Sequence, residues 1–343
     1  AMHAYLNTRV SLFAGRLWQP ADYAALLDAD EAGVAAVLTD RGLPQLATGF
    51  AGRDSRSLEQ ILIAQLIDET NVLIRPLSGD QRTFLLFWTG RFEISNVKTL
   101  LRGKMTGERP AALLTRLTPM GAFGRLDMQE LAHTEDMNEL FRRLEAGPYA
   151  SIVRPARRAF AETHDPFLLD AALDRGFYEG LEQRALPLES AAGASFRRLM
   201  GALIDRINLV WLLRFRFNYG LPPSQVYYLL MASRYSLHAS QLRRLAALDT
   251  LEAVLEALPE RLHGLLQGVT GIAEAYNRLE RAGAEDARKV LHSGSPPISR
   301  AFAYLLLRWR ELRSVRAVLR GRHLDLPTTK IHLAMYDASA GSA

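Results

Sequence analysis

The sequence contains no cysteine among its 343 residues. Disulfides, thiolate-ligated zinc, iron–sulfur clusters and a cysteine nucleophile are therefore all excluded. A reducing compartment is compatible with this composition but is not required by it. Any catalytic chemistry has to come from oxygen and nitrogen side chains.

Long apolar runs are also absent. No stretch approaches the roughly 18 uninterrupted apolar residues that predict a membrane-spanning helix. The N-terminus lacks the basic-then-apolar order of a secretory signal peptide, so we expect none. The charge is only mildly one-sided, because 42 Lys and Arg against 37 Asp and Glu leave +5. This surplus permits an acidic partner or an anionic membrane surface without requiring either.

Strand signals are scarce as well. Alternating Val-, Ile- and Thr-rich runs and Asn-Gly or Asp-Gly hairpin turns are missing, whereas apolar residues recur at steps of three and four. One such run predicts a helix over 55–74, with Asp54 and Ser55 as capping candidates. A second, over 251–266, is interrupted by Pro259, which should start a new helix or kink the old one. With 48% apolar residues, the chain is predicted to be globular and all-α.

An internal repeat organises these helices. Its clearest members are Asn96, Asn208 and Ser314, which are 112 and then 106 residues apart. Around them, an apolar residue follows the Asn or Ser, two apolar residues precede an Arg, and a Lys or Arg sits two residues further on. The repeated segments are 94–104, 206–216 and 312–322. A second shared block occurs at 25–28, 129–132 and 245–248.

Turns rich in Gly and Pro punctuate the repeat. They lie at 107–110, 147–148, 221–223 and 293–297. The spacing predicts three related helical units, each too small to bury much surface alone, that pack side by side. Their approximate boundaries are 5–108, 109–222 and 223–336.

Four segments carry recognisable patterns. Phe92–Lys104 resembles the pattern aspartate–x–x–Asn–Ile–Lys–x–Leu–Leu–Arg–x–Lys, and Glu311–Arg322 resembles Glu–x–x–Asn–Ile–Arg–x–Ile–x–x–Gly–Lys. Tyr5–Val10 resembles the opening motif Tyr–x–Asn–Ala–Arg–Val–Arg, and Leu173–Tyr178 resembles Asp–Arg–x–Tyr–Tyr. Together they resemble the C-subunit family of V/A-type (vacuolar/archaeal-type) rotary ATPases, whose eukaryotic vacuolar relative is called the d subunit. The resemblance runs over about 5–336, nearly the whole chain.

Some positions depart from the family pattern. Ser11 replaces the second Arg of the opening motif, and Ser314 replaces Asn in the third copy of the repeat. Ile94 occupies or adjoins the place of the family's acid in the first copy, which leaves Glu93 as the nearest candidate.

The resemblance implies a non-catalytic protein of three pseudo-equivalent helical bundles arranged as a funnel. One face would sit on the membrane ring of proteolipid subunits, and the open end would receive the foot of the central shaft. The protein would then be a rotor socket at the cytoplasmic face of the membrane, with membrane contact only through the ring. No cofactor is implied.

Enzymatic alternatives have little support in the sequence. Phosphate-binding Gly-rich loops, the G-x-S-x-G elbow and the H-E-x-x-H zinc motif are missing, and the eight histidines show no ligand spacing. Asp170 and Asp174, at i and i+4, share a helix face and could hold Mg²⁺. A second acidic motif is missing and Arg175 follows, which favours a solvated or salt-bridged face. We therefore expect no catalytic residue and no metal.

Basic residues recur within the repeat. Two interpretations stay open for the Arg that follows each apolar pair: its guanidinium caps helix carbonyls or pairs with an acid, or it faces a partner. The candidate partner-binding residues are Arg102, Arg214 and Arg320, together with Lys104, Arg216 and Arg322 two residues beyond each.

Nucleic-acid binding and a scaffold role are two further functions that the sequence raises. Basic residues interleaved with aromatics at 214–217, and the pair Arg142-Arg143, are a pattern of nucleic-acid binding, but a helix would spread them around its axis. We expect no nucleic-acid partner. The remaining alternatives to the rotor socket are a helical scaffold of another complex and, with less support, a Mg²⁺-dependent all-α enzyme that uses Asp170 and Asp174.

Overall fold

The computed structural model describes residues 2–48 and 54–336. Over these residues the chain forms helices, turns and loops with no β-strand, so the all-α prediction is confirmed. The helices are α1 (Met2–Ala14), α2 (Pro20–Asp28), α3 (Glu31–Asp40), α4 (Ser55–Ile74), α5 (Gly79–Thr89), α6 (Arg91–Met105), α7 (Pro110–Arg116), α8 (Met128–Ala132), α9 (Met137–Glu145), α10 (Ala150–Thr163), α11 (Pro166–Leu213), α12 (Pro223–Leu229), α13 (Ala239–Ala246), α14 (Leu251–Glu256), α15 (Glu260–Leu265), α16 (Ile272–His292), α17 (Pro297–His323) and α18 (Thr328–Tyr336).

The predicted helices form where expected. α4 has the predicted bounds, and the Asp54 carboxylate caps it by accepting the backbone N–H of Ser57 at 2.7 Å. Pro259 ends one helical run and stands at the N-cap of α15, as a residue without a backbone N–H can. α11 contains one non-helical residue, Gly193 (φ 64°), so it consists of two helices in sequence.

The chain forms two compact units. Among the described residues, the first comprises 2–48, 54–82, 192–199 and 281–336, and the second comprises 83–191 and 200–280. In the first unit α17 packs against α1, α4 and α18, and buries Phe302 and Tyr304. In the second, α6 packs against α7 and α9, and α12 packs against α13. The three sequence units and their boundaries stay a prediction.

Three helical segments end with equivalent main-chain bonds, which join residues five apart at Gly103 and Gly321 and six apart at Phe215. In the second unit, the N–H of Glu108 bonds to the carbonyl of Gly103 at 2.9 Å, and the N–H of Leu221 bonds to that of Phe215 at 2.9 Å. In the first unit, the N–H of Leu326 bonds to the carbonyl of Gly321, also at 2.9 Å. Each bond closes a left-handed turn at a helix C-terminus.

The residues in the left-handed turns are Gly107, Gly220 and Asp325. Glycine adopts this conformation without steric cost, whereas a non-glycine residue such as Asp325 carries a penalty of roughly 1 kcal/mol. The second turn follows a π-helical segment, Arg214–Asn218. This segment accommodates one extra residue and shifts the repeat offset from 112 to 113 beyond it.

Small residues allow the next helix to approach closely. A Cβ at Gly103 would overlap the buried side chain of Leu113 on α7, and a Cβ at Gly321 would overlap Ile331 on α18. Both glycines therefore fix helix-to-helix distance rather than backbone conformation.

Gly103→Ala is expected to lower the free energy of unfolding by about 1–3 kcal/mol, because Leu113 has no room to move. The matched control is Gly264→Ala on the exposed end of α15, where a Cβ meets nothing within 4 Å. Better helix propensity should make that variant neutral or up to ~1 kcal/mol more stable. Urea unfolding of both variants measures the difference, and equal effects would refute the close packing of α6 on α7.

Candidate functional site

Three helices carry the same polar residues on one face. An acid, an Asn or Ser, and a Lys or Arg stand at positions i, i+3 and i+11, and at 100° per residue they fall within about 80° of one another. We call them the anchor residues. The three sets are Glu93, Asn96 and Lys104 on α6; Asp205, Asn208 and Arg216 at the end of α11 and its π-helical segment; and Glu311, Ser314 and Arg322 on α17.

The first acid is fully buried and holds a loop. Glu93 accepts the backbone N–H groups of Arg125 at 3.0 Å and Leu126 at 3.3 Å. It also accepts the hydroxyl of Tyr149 at 2.6 Å, and burial of that phenol together with the Glu93 contact raises the pKa of Tyr149. Glu93 is therefore the acid of the first repeat, although Ile94 stands beside it.

The second acid makes the equivalent contacts. Asp205 accepts the backbone N–H groups of Leu237 at 3.0 Å and Ser236 at 3.3 Å. Burial raises the pKa of the Asp205 carboxyl, and the two N–H bonds offset only part of that effect.

The third acid belongs to a larger buried cluster. Glu311 accepts the backbone N–H of Trp18 and pairs with Arg308, which also pairs with Glu69. Tyr304 donates its hydroxyl to Glu69 at 2.7 Å. Burial raises the pKa of Glu311, and the guanidinium of Arg308 opposes the rise. Sequence reasoning missed this cluster because no local spacing connects α4 with α17.

The amide anchors bind one loop residue at both of its main-chain groups. Asn96 accepts the N–H of Thr118 and donates to its carbonyl, both at 2.8 Å. Asn208 accepts the N–H of Met231 at 2.9 Å and donates to its carbonyl at 3.3 Å. Such double bonding fixes the loop residue as a neighbouring strand would.

Serine performs half of this task in the third set. The Ser314 hydroxyl oxygen lies 3.4 Å from the carbonyl oxygen of Met335 and 3.2 Å from that of Arg310, and its single hydrogen is available to either of them. A hydroxyl carries its donor and its acceptors on one atom, so it cannot span the N–H and the C=O of one residue as an amide does. The Ser for Asn departure therefore weakens the third set without abolishing it.

The basic anchors donate to main-chain carbonyls of their own unit, at distances between 2.6 and 3.1 Å. The acceptors fall in or just beyond the second shared block of the repeat. The contacts are Lys104 with Ala132 and Thr134, Arg216 with Ala246 and Leu248, and Arg322 with Leu26, Leu27 and Ala29. Three of the six predicted partner-binding residues thus use their hydrogen bonds inside the protein.

The other three lie on the opposite helix face. Arg102 is nine residues after Glu93, which is a rotation of about 180°. Its exposed guanidinium pairs with Asp170, Arg214 is half-buried and Arg320 is exposed. The structure therefore divides the six candidates into an internal group and a group on the face away from the anchors.

The proposed magnesium pair is engaged in ion pairs. Asp170 pairs with Arg102, and the half-buried Asp174 pairs with Lys98, one turn along the two antiparallel helices. Burial raises the pKa of Asp174, against the effect of the Lys98 ammonium. The hypothesis of a Mg²⁺-dependent enzyme that uses these two aspartates is wrong, because a basic side chain already neutralises each carboxylate. Within residues 2–48 and 54–336, no group of three or more acids and histidines could hold a metal.

The basic–aromatic segment is likewise used internally. Phe215 is buried against Phe167, with ring centroids 5.6 Å apart, and Arg216 is the second basic anchor. Arg143 pairs with Glu130. Among the described helices, none combines the length and the apolar character that crossing a bilayer requires.

Comparison with known proteins gives the family. A family described as ATP synthase (C/AC39) subunit matches residues 6–333. The chain belongs to this family. Its relatives include proteins named as the C subunit of an A-type ATP synthase. The one from Methanosarcina mazei is 24% identical over 94% of this chain and 90% of its own length, and the one from Haloquadratum walsbyi is 24% identical over 95% and 96%. The relative from Methanocaldococcus jannaschii is 24% identical over 75% of this chain, which covers 65% of that protein.

Membership of the C/AC39 family agrees with the resemblance carried by the repeat. The family is named for a subunit of an ATP synthase complex, and the chain is a non-catalytic subunit of that kind. The anchor residues are therefore best understood as residues that stabilise the fold of a C/AC39 protein.

Asn208→Ala is expected to lower the free energy of unfolding by about 2–4 kcal/mol. The N–H and C=O of buried Met231 would both lose their partner, at about 1–3 kcal/mol for each unsatisfied group. The exposed Asn218→Ala should change stability by no more than ~0.5 kcal/mol. Urea unfolding distinguishes them, and a neutral Asn208→Ala would contradict the anchor role.

Asp205→Asn is expected to change how stability depends on pH. The folded state holds the Asp205 proton more tightly than the unfolded chain, whose aspartates titrate near 3.8. The wild type should therefore lose stability relative to the variant as pH rises from 3.8 through the folded pKa, by up to ~1.4 kcal/mol per pH unit. Urea unfolding at several pH values tests this. The prediction is refuted if the free energy of unfolding of the wild type minus that of the variant stays constant or increases with pH.

Proposed function

We propose that this subunit of an A/V-type ATPase is the socket that couples the central shaft to the membrane proteolipid ring. It would act without catalysis at the cytoplasmic face, in either direction of rotation, and would touch the membrane only through the ring. The observation that carries the proposal is the threefold recurrence of the anchor residues, whose acids and Asn or Ser side chains are buried. A coupling element transmits torque only if its helices and loops do not yield to load.

The anchors supply that stiffness. In the second unit, Glu93 and Asn96 hold one loop on α6, and Asp205 and Asn208 hold another on α11. Breaking any of these bonds leaves a buried polar group without a partner, at roughly 1–3 kcal/mol each. Loops that would otherwise deform easily are thereby made part of the helical framework.

The recurrence also supports three related units. Each long helix anchors the loop that follows it, so the contacts cross the predicted boundaries at 108/109 and 222/223. Arg322 instead bonds to Leu26–Ala29, which joins the two ends of the sequence. We propose units that each hold one long helix with its anchored loop, the third being completed by N-terminal residues.

On each of the three helices, the face opposite the anchors is proposed to meet a partner. Arg102, Arg214 and Arg320 lie there, while Lys104, Arg216 and Arg322 stabilise the units from within. An arginine that faces a partner acts by its charge and its planar donor fork.

The test replaces Arg102, Arg214 and Arg320 together by Gln. The melting temperature should fall little, because Arg102 and Arg320 are exposed and an ion pair such as Arg102–Asp170 contributes about 1 kcal/mol or less. Gln also keeps part of the apolar stem of the half-buried Arg214. Loss of three charge-assisted contacts at about 1.5–3 kcal/mol each should strongly reduce retention in the assembled complex after pull-down from native membranes.

The matched control replaces three exposed arginines outside this repeat position, Arg109, Arg158 and Arg288, by Gln. It should co-purify with shaft and ring subunits like the wild type. A collapse of melting in the test variant would show that the arginines are structural. Unchanged melting and retention would remove them from the interface. Co-purification of the wild type with an unrelated complex would favour the scaffold alternative.

A further inference from the structure

A cavity of about 280 Å³ lies in the first unit, beside the loop that joins α16 to α17. Hydroxyls and cations dominate its lining, which includes one aliphatic side chain and no carboxylate. The lining residues are Ser195, Arg198, Lys289, Val290, Ser293 and Ser295. The turn at 293–297 is one of the strongest in the sequence, and the anchor residues make no use of it.

The two cations are the unusual feature. Arg198 and Lys289 are exposed and form no ion pair with any carboxylate of residues 2–48 and 54–336. Arg308 and Arg316 of the same unit, in contrast, pair with glutamates. Two like charges that share a cavity repel each other, so the cavity is electrostatically complementary to an anion.

The hydroxyls add a donor beside these cations. Ser293 donates to the carbonyl of Val290 at 3.0 Å, and its oxygen lies 2.6 Å from the hydroxyl oxygen of Ser295. With the Ser293 hydrogen directed to Val290, the hydrogen of Ser295 can turn from Ser293 to a bound ligand.

The helix ends on either side of the cavity have opposite effects on a bound anion. α17 begins just after Ser295 with no side-chain cap, and its positive end favours an anion. α16 ends at His292, and its negative end opposes this. Selectivity therefore rests on the side chains of Arg198, Lys289 and Ser295.

We infer that this cavity binds a phosphoryl group, as free phosphate or as the head of a larger phosphate ester. Arginine offers a donor fork that matches two phosphate oxygens, and lysine adds a compact charge. The volume is several times the ~30 Å³ that one water occupies, which accommodates four oxygens and part of a substituent. This site is separate from the proposed coupling role.

The test titrates inorganic phosphate into the full isolated chain by calorimetry. Wild type should bind it saturably, and Lys289→Gln and Arg198→Gln should each weaken binding by about tenfold or more, as loss of one charge-assisted contact requires. The control is Arg288→Gln, an exposed cation one residue from Lys289 that does not line the cavity. It should bind like the wild type. Absence of saturable binding, or equal weakening in Arg288→Gln, would overturn the inference.

A second arm separates the sources of the phosphoryl group. Sedimentation with phosphatidic acid vesicles, lost in Lys289→Gln but kept in Arg288→Gln, would identify a lipid headgroup. Phosphate binding without such sedimentation would identify a free phosphate. Neither the phosphate titration nor the vesicle sedimentation involves other ATPase subunits. A negative result for phosphate binding would therefore leave the proposed coupling function untouched.

Discussion

Hydrogen bonds from buried helix side chains to the main chain of neighbouring loops are the interaction on which the rest of this structure depends. A loop packed against a helix bundle removes its N–H and C=O groups from water, and each needs a partner. Asn96 and Asn208 each hydrogen-bond to both the N–H and the C=O of one loop residue. The short helices next to these loops can then pack in one fixed place, as α7 does against Gly103.

The same interaction explains why the basic residues of the repeat divide into two groups. Lys104 and Arg216 follow the anchoring acid by eleven residues, which returns them to its helix face. Arg102 and Arg214 follow it by nine and lie opposite. Helical periodicity alone is enough to separate the two groups. The carbonyl acceptors could not have been assigned in the same way, because Arg216 and Ala246 are 30 residues apart.

The helix content and the acid of the first repeat could be predicted from the sequence. Regular apolar spacing and a cap at Asp54 define α4, and Pro259 starts a helix because it lacks an N–H. Glu93 stands three residues before Asn96, as Asp205 stands before Asn208. The partners of the Glu311–Arg308 pair could not be predicted, since Trp18, which binds Glu311, and Glu69, which binds Arg308, are distant in sequence and meet only through folding. The π-helical segment was missed because its one extra residue appears in the sequence only as a change of the repeat offset from 112 to 113.

Amide hydrogen exchange tests the central claim most directly. The N–H groups of Trp18, Thr118, Arg125, Met231 and Leu237 all lie outside helices, and each bonds to an anchor residue. If anchoring makes these loops part of the framework, their amides should exchange as slowly as those of buried helical residues. Exchange at the rate of exposed loop amides would show that the loops open freely, and would contradict the account.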